Sequence, residues 1–190
     1  MVAFADSLNF FTSIGTIVGQ ALLLAVLVFW LVRYFGAESK HGSSSEKMLI
    51  AIGRYGLEIG LLVALVSVAV SLIYSDIIGY EPCKLCWIQR IFLYPQLVIL
   101  GLAIWKKTKD AAIYCLALST IGAVIAGYHF YGQSFNAGVL PACDVSGGAS
   151  CAVRFFVEFG YVTIPLMSFT AFLLIIVFML LSRLADEARN

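Results

Sequence analysis

The chain has 190 residues, of which 62% are hydrophobic and only 12% are charged. A soluble chain carries about 25% charged residues, so this composition argues against a soluble domain and predicts that the lipid bilayer is the solvent. The net charge of +1 favours no class of partner. No basic block with interleaved aromatic residues supports nucleic-acid binding.

Uncharged apolar runs predict five membrane-spanning helices, since a helix needs about 20 apolar residues to cross about 30 Å of hydrocarbon. The runs place these spans near residues 13–34, 57–76, 86–105, 111–131 and 161–182. The third run is short, because only Ile91 to Trp105 is free of charge. That helix must begin near Cys86, which puts Cys86 at the membrane surface and Arg90 about one turn deeper.

The first span is predicted to be a retained helix and not a cleaved signal peptide. No basic residue precedes it, and its apolar run is longer than a signal sequence needs. The polar segment that follows, residues 38–47, is predicted to be a flexible linker. The chain is therefore expected to divide into an added N-terminal helix with a cytoplasmic linker, residues 1–47, and a four-helix unit, residues 48–190.

Lysine and arginine residues indicate the orientation, because they are enriched in short cytoplasmic loops. Placing the loop 33–56 inside puts nine of them on that side and three on the other. The inner set is Arg33, Lys40, Lys47, Arg54, Lys106, Lys107, Lys109, Arg183 and Arg189, and the outer set is Lys84, Arg90 and Arg154. The N-terminus is thus expected outside and the C-terminus in the cytoplasm. Four of the five cysteines then face the outside, where disulfides persist: Cys83, Cys86, Cys143 and Cys151.

Cys83 and Cys86 form a C-x-x-C motif at the predicted start of a helix. Two intervening residues allow a short, reducible disulfide, and the positive end of the helix dipole favours a thiolate, which is the reactive form. A structural zinc site or an inert disulfide is the alternative interpretation. Zinc usually needs a second closely spaced pair, whereas seven residues separate Cys143 from Cys151. Redox chemistry is therefore predicted, and no metal site is expected.

Arg90 and Gln89 are predicted to form a ligand site beside Cys86. They follow it by four and three residues, so all three side chains share a helix face. An arginine inside the bilayer is costly and is a functional candidate, and here it suits a quinone carbonyl. His129, at a similar depth in the fourth span, is a further candidate that would donate to the second quinone oxygen or relay a proton. The alternatives are an arginine that reaches lipid phosphates and a histidine in an interfacial aromatic belt.

The second cysteine pair, Cys143 and Cys151, lies in a loop that Gly147 and Gly148 are expected to make mobile. A mobile, water-exposed disulfide suits exchange with a soluble partner and then with the C-x-x-C pair. A structural staple of the loop is the alternative. Cys115 lies at the opposite end of the fourth span and is predicted to be a packing residue.

Four segments together resemble the DsbB family, particularly its BdbC branch: residues 82–90, residues 127–129, the loop of Cys143 and Cys151, and residues 159–165. The resemblance covers about residues 48–184. It implies an all-α transmembrane four-helix bundle, to which this chain adds its first span. It also implies a protein-disulfide:quinone oxidoreductase of the bacterial inner membrane. Such a protein reoxidises a DsbA-like thioredoxin-fold partner and passes electrons to ubiquinone or menaquinone.

The resemblance also implies roles for individual residues. Cys86 would lie next to the quinone, and Cys83 would be its disulfide partner, which exchanges with the loop pair. Cys143 would form the mixed disulfide with the DsbA-like protein, and Cys151 would complete the loop pair. Arg90 matches the arginine of the family's quinone site.

Two residues match the family less closely, and two other functions stay open. His129 occupies a similar segment, and Gln89 stands where some relatives carry an acid. The non-enzymatic alternative is a helical membrane scaffold with structural loop disulfides. The enzymatic one is a quinone reductase like vitamin K epoxide reductase, although in that family the loop pair precedes the C-x-x-C motif.

Overall fold

The computed structural model describes residues 2–35, 44–108, 110–140 and 150–188, and these residues are almost entirely helical. Its α-helices are α1 (Val2–Phe35), α2 (Ser44–Gly53), α3 (Gly56–Leu72), α4 (Lys84–Lys106), α5 (Ala111–Ser134) and α6 (Ile164–Glu187). A π-helix, Ile73–Ile77, extends α3, and a 3-10 helix covers Ala137–Val139. Five of the helices, all except α2, are long and apolar enough to cross a membrane. The chain is thus an all-α, multi-pass membrane protein, as predicted.

The observed helix boundaries differ from the prediction at several places. α1 begins at Val2 and not near residue 13, since no proline or glycine interrupts residues 2–12. α6 begins at Ile164, because Pro165 occupies its first turn, where a missing N–H costs little. α2 begins at Ser44, so the predicted linker over 38–47 is wrong for residues 44–47, where strong helix formers follow two serines. Residues 38–43 lie outside the described residues.

Helices α3 to α6 form a ring of four around one apolar core. α4 packs between α3 and α5, and α6 closes the ring against the same two helices. Large, fully buried side chains of α4 and α6 fill the centre, among them Leu100 and Phe172. Cys115 is also fully buried in this core, which confirms that it is a packing residue. α1 packs against α6 from outside the ring.

Glycines allow neighbouring helices to approach α6 closely. A Cβ atom at Gly56 would lie 2.5 Å from the carbonyl oxygen of Phe178, and one at Gly60 would lie 2.5 Å from the methyl carbon of Met179. On α5, a Cβ atom at Gly122 would overlap the ring of Phe172. Membrane helices use small residues for such close packing. The Gly56-x-x-x-Gly60 spacing is therefore a helix contact in this protein.

The antiparallel order of the helices separates the cysteine motif from most of the positive charge. The end of α3, the start of α4, the end of α5 and the start of α6 meet at one end of the bundle, together with the connections that follow α3 and α5. The opposite end carries Arg54, Lys106, Lys107 and Arg183. The candidate site is therefore expected at the end of the bundle that carries the C-x-x-C motif, the cysteine-bearing end.

Candidate active site

Cys83 caps the N-terminus of α4. Its backbone is extended, with φ −72° and ψ 170°, and its sulfur accepts a hydrogen bond from the backbone nitrogen of Cys86 at 3.3 Å. One helical turn brings the two Sγ atoms to 2.8 Å from each other. The C-x-x-C motif therefore lies at a helix start, as predicted, with its two sulfurs in position to interconvert between dithiol and disulfide.

The Cys83 thiol is not the thiolate of the pair. Its hydrogen bond with Cys86 and its burial raise the pKa of Cys83 from 9.0 to about 12. Cys83 is therefore not the cysteine at which the predicted thiolate is favoured, because the hydrogen bond with Cys86 and the loss of hydration raise its pKa. In the reduced state Cys83 is a neutral thiol at physiological pH.

His129 connects the C-x-x-C motif to the loop cysteine Cys151. The ligand atoms of Cys83, His129 and Cys151 lie within 4.8 Å of one another, and all three residues are buried. Nε2 of His129 is 3.0 Å from the carbonyl oxygen of Cys151 and 3.8 Å from Sγ of Cys83. A carbonyl oxygen can only accept, so Nε2 carries the hydrogen. Nδ1 then accepts a hydrogen bond from Nε2 of Gln89 at 3.1 Å.

These hydrogen bonds decide what the cluster can do. Two thiols and an imidazole are donors of the kind that bind zinc. In this arrangement, however, the ring nitrogen nearest the sulfurs donates to the Cys151 backbone. Gln89 holds the opposite nitrogen, which fixes the tautomer and the ring orientation. The cluster as observed therefore places a histidine N–H 3.8 Å from the Cys83 sulfur, where it can donate to that sulfur during thiol exchange.

The segment that carries Cys151 is tied to the end of α5. Nε2 of Gln133 donates to the carbonyl oxygens of Cys151 at 3.3 Å and of Val153 at 2.7 Å. Arg154 in turn donates to the carbonyl oxygen of Gln133. The sequence analysis assigned no role to Gln133, although a glutamine in the last turn of a membrane helix is a signal of a polar contact. Cys143 lies outside the described residues, so its predicted exchange with a soluble partner remains a prediction.

A cavity of about 120 Å³ lies beside the C-x-x-C motif, between α3, α4 and α6. The four residues predicted to surround a ligand, Cys86, Gln89, Arg90 and His129, all line it. A cavity of roughly 150 Å³ in another protein binds benzene, so this volume suits one six-membered ring. The remaining wall is mainly aromatic and apolar and includes Tyr74, Tyr80, Leu93, Phe155, Pro165 and Ala171.

Arg90 is held at the wall of this cavity by contacts within the protein. Its Nε donates to the hydroxyl of Ser71 at 3.0 Å, and its Nη2 donates to the carbonyl oxygen of Ser71 at 2.9 Å. The guanidinium carbon lies 5.0 Å from the centre of the Trp87 ring. A guanidinium has five N–H donors, so donors remain for a ligand in the cavity. Sequence reasoning missed Ser71, for which the signal was a hydroxyl in an otherwise apolar span.

A second, smaller cavity of about 20 Å³ lies against the segment that follows Ser150. Cys83, Cys86 and His129 line it, together with Arg154 and Thr163. Cys86 therefore lines both cavities, whereas Cys83 lines only the smaller one. Cys86 therefore adjoins both a cavity among the membrane helices and a cavity against the segment that follows Ser150.

Comparison with known proteins identifies the family. The model of the family "Disulfide bond formation protein DsbB" matches residues 54–182. A probable disulfide formation protein C 2 of Bacillus anthracis is 33% identical over 136 residues, which are 72% of this chain and 96% of that protein. Disulfide bond formation protein C of Bacillus subtilis is 38% identical over 122 residues, which are 63% of this chain and 86% of that protein.

A prophage-derived disulfide bond formation protein B of Bacillus subtilis is 44% identical over 106 residues, 55% of this chain and 70% of that protein. No solved structure matches the chain. The family match starts after α1 and includes both the C-x-x-C motif and the loop cysteines. The chain, an all-helical membrane protein, therefore belongs to the DsbB family of disulfide bond formation proteins.

Proposed function

We propose that this protein is a thiol:quinone oxidoreductase. It takes electrons from a reduced DsbA-like thioredoxin-fold protein and passes them through two cysteine pairs to a membrane quinone. The observation that carries the proposal is the position of Cys86, which lines both the cavity among the membrane helices and the cavity against the outer loop. The C-x-x-C pair can therefore exchange with the loop cysteines on one side and reduce a lipid-soluble oxidant on the other.

The proximity of Cys83 and Cys151 supports exchange between the two cysteine pairs. A donor thiolate attacks Cys143 and releases the Cys151 thiolate, which in turn attacks Cys83 and releases Cys86 as a thiolate. The second donor thiol then displaces Cys143 from the donor, and the Cys143 thiolate displaces Cys83 from Cys151, which restores the loop disulfide and leaves Cys83 and Cys86 reduced. The Cys83 and Cys151 sulfurs lie within 4.8 Å of each other, so a short movement brings them to the disulfide distance of about 2.05 Å. In the complete cycle two donor thiols become one disulfide, and two electrons and two protons leave the protein.

The cavity beside Cys86 has the chemistry of a quinone site. A quinone bound there supplies the oxidising power, because it accepts two electrons and two protons. Arg90 offers guanidinium donors to a carbonyl oxygen and favours the negative charge that develops on it. The apolar and aromatic wall suits a lipid-soluble ring. Gln89 acts through His129, whose two ring nitrogens are held by Gln89 and by the Cys151 carbonyl oxygen, so donation to the quinone is assigned to Arg90.

Quinone reduction by the purified protein tests this function. The protein in detergent receives a reduced thioredoxin-fold thiol oxidase as donor and a ubiquinone or menaquinone analogue as acceptor. Turnover is expected in the wild type and is expected to disappear in Cys86→Ser. Cys115→Ser is the matched control, since Cys115 is buried in the core, and it is expected to keep its activity. A wild type that reduces neither quinone with a competent donor would favour a scaffold whose disulfides only staple the loop.

We also propose that the cysteine-bearing end faces outward from the bacterial inner membrane. Support comes from Arg54, Lys106, Lys107 and Arg183 at the opposite end, because short cytoplasmic loops are rich in basic residues. A membrane-impermeant maleimide tests the orientation in whole cells. Glu81→Cys is expected to react before permeabilisation and Lys107→Cys only after it, and the reverse pattern would overturn the orientation.

A further inference from the structure

The N-terminal helix α1 precedes the segment that matches the DsbB family, and it carries a buried polar stripe. Most of the helix presents exposed apolar side chains. Three side chains are instead polar and buried: Asn9, Ser13 and Thr16 have exposed fractions of 3%, 0% and 8%. Thr12 and Gln20 continue the stripe at helical spacing. Buried polar side chains in a membrane helix are costly and usually make specific contacts, so this face needs a partner in the bundle.

Two members of the stripe form hydrogen bonds with the four-helix ring. The hydroxyl of Thr12 lies 2.9 Å from the hydroxyl of Tyr74, which is in the π-helix after α3. Nε2 of Gln20 donates to the hydroxyl of Thr170 at 3.4 Å, and Tyr161 donates to Oε1 of Gln20 at 3.0 Å. α1 is therefore attached both to the end of α3 and to α6.

The direction of the bond between Thr12 and Tyr74 follows from the other contact of Thr12. The Thr12 hydroxyl donates its hydrogen to the carbonyl oxygens of Leu8 at 2.8 Å and of Asn9 at 3.1 Å, both within α1. A hydroxyl has only one hydrogen to donate, so Tyr74 must be the donor in the bond with Thr12. The phenol hydrogen of Tyr74 therefore points towards α1.

Tyr74 belongs to the wall of the proposed quinone cavity. It lines that cavity and is only 4% exposed. Its ring stacks on Tyr80 at 5.6 Å, and Tyr80 stacks on Phe155 at 4.6 Å, so one aromatic row forms that part of the wall. A π-turn inserts an extra residue into a helix and often occurs at functional sites. The orientation of Tyr74 therefore determines the shape and polarity of the cavity.

We propose that α1 is a positioning element for the acceptor cavity and that it acts through Thr12. By accepting the phenol hydrogen, Thr12 fixes the Tyr74 hydroxyl towards α1 and holds the aromatic row in place. Without Thr12, the buried donor has no partner on α1, and an unsatisfied donor in apolar surroundings is costly. The hydroxyl then turns towards the cavity and competes with the ring of the acceptor. The inference rests on the proposed quinone site.

Three variants test this role by steady-state kinetics. Thr12→Val keeps the side-chain shape and is expected to raise the quinone KM about fivefold, the effect of one net hydrogen bond, while the KM for the thiol donor stays unchanged. Adding Tyr74→Phe removes the unsatisfied hydroxyl and is expected to restore the quinone KM to within about twofold, since replacing both partners is nearly neutral. Thr16→Val is the matched control, because its hydroxyl donates to the backbone carbonyl of Thr12 within α1.

A binding measurement separates this inference from the proposed function. Quenching of tryptophan fluorescence by a short-chain quinone reports binding without turnover, since Trp87 lies beside Arg90. A wild type that binds quinone without reducing it overturns the oxidoreductase, while the same variants still test α1 by their Kd. A wild type that binds no quinone overturns both. An unchanged Kd in Thr12→Val, no rescue by Tyr74→Phe, or an equal loss in Thr16→Val overturns the proposed action through Thr12 alone.

Discussion

Arg90→Gln removes the positive charge at the wall of the larger cavity and leaves an amide of smaller reach. A hydrogen bond to a charged group contributes about 1.5–3 kcal/mol, and about 1.4 kcal/mol corresponds to a tenfold change. The loss of one such bond from Arg90 to the acceptor is therefore expected to lower kcat/KM for the quinone by about 10- to 100-fold. The KM for the thiol donor is expected to stay unchanged, because the donor is proposed to react at the loop.

Two milder variants distinguish how much of this loss in kcat/KM comes from the positive charge and how much from its orientation. Arg90→Lys keeps the charge but loses the planar fork that binds the hydroxyl and the carbonyl of Ser71. Ser71→Ala removes one of these two anchors and keeps the guanidinium. We expect the losses to increase in the order Ser71→Ala, Arg90→Lys, Arg90→Gln.

The assay is the disappearance of quinone absorbance at several quinone concentrations, with the thiol donor saturating. Arg54→Gln, at the opposite end of the bundle, is the matched control and is expected to behave as the wild type. Folding of each variant is checked by its thermal unfolding midpoint. A folded Arg90→Gln protein with wild-type kcat/KM for the quinone would refute the placement of the acceptor beside Arg90.

Three further predictions follow from the packing and the cysteine cluster. Gly122→Ala is expected to destabilise the protein by about 1–3 kcal/mol, because the added methyl group overlaps the buried ring of Phe172. Its control is Gly101→Ala, which has open space around it and is expected to unfold at the wild-type temperature. His129→Ala is expected to slow the transfer of electrons from the donor to the C-x-x-C motif by about 100-fold, and an unchanged rate in rapid-mixing experiments would exclude proton transfer by this residue. In the reduced protein, alkylation of Cys83 is expected to stay slow near pH 9 and to increase towards pH 12, following its raised pKa; rapid labelling at pH 8, detected by mass spectrometry, would contradict this.

The spans were predictable because charge and hydrophobicity mark the limits of the bilayer directly. The charge-free run after Arg90 is too short to cross alone, so the helix had to begin at the C-x-x-C motif, and α4 does begin at Lys84. The start of α1 and the existence of α2 were not predictable in this way. Polar residues at a helix end are compatible with either a helix or a loop, and packing against α6 favours the helix.

The site was predictable only where its residues share one helix. Helical spacing placed Arg90 on the face of Cys86, and both line the cavity. The anchor of Arg90, Ser71, comes from another helix, and no spacing rule connects residues 71 and 90. The raised pKa of Cys83 was likewise hidden, because it depends on burial and on the neighbouring thiol. The partnership of His129 with Gln89 required the packing of α4 against α5.

The position of the C-x-x-C motif between two cavities has a kinetic consequence. On the proposed path, the thiol donor reacts at the loop cysteines and the membrane acceptor reacts beside Cys86, so neither has to be bound while the other reacts. Such a protein follows a ping-pong scheme, with parallel lines in double-reciprocal plots. A cell that lacks oxidant would accumulate it with reduced cysteines, and a cell that lacks donor thiols would accumulate it fully oxidised. The ratio of the two forms would report the balance between secretion of thiol proteins and supply of quinone.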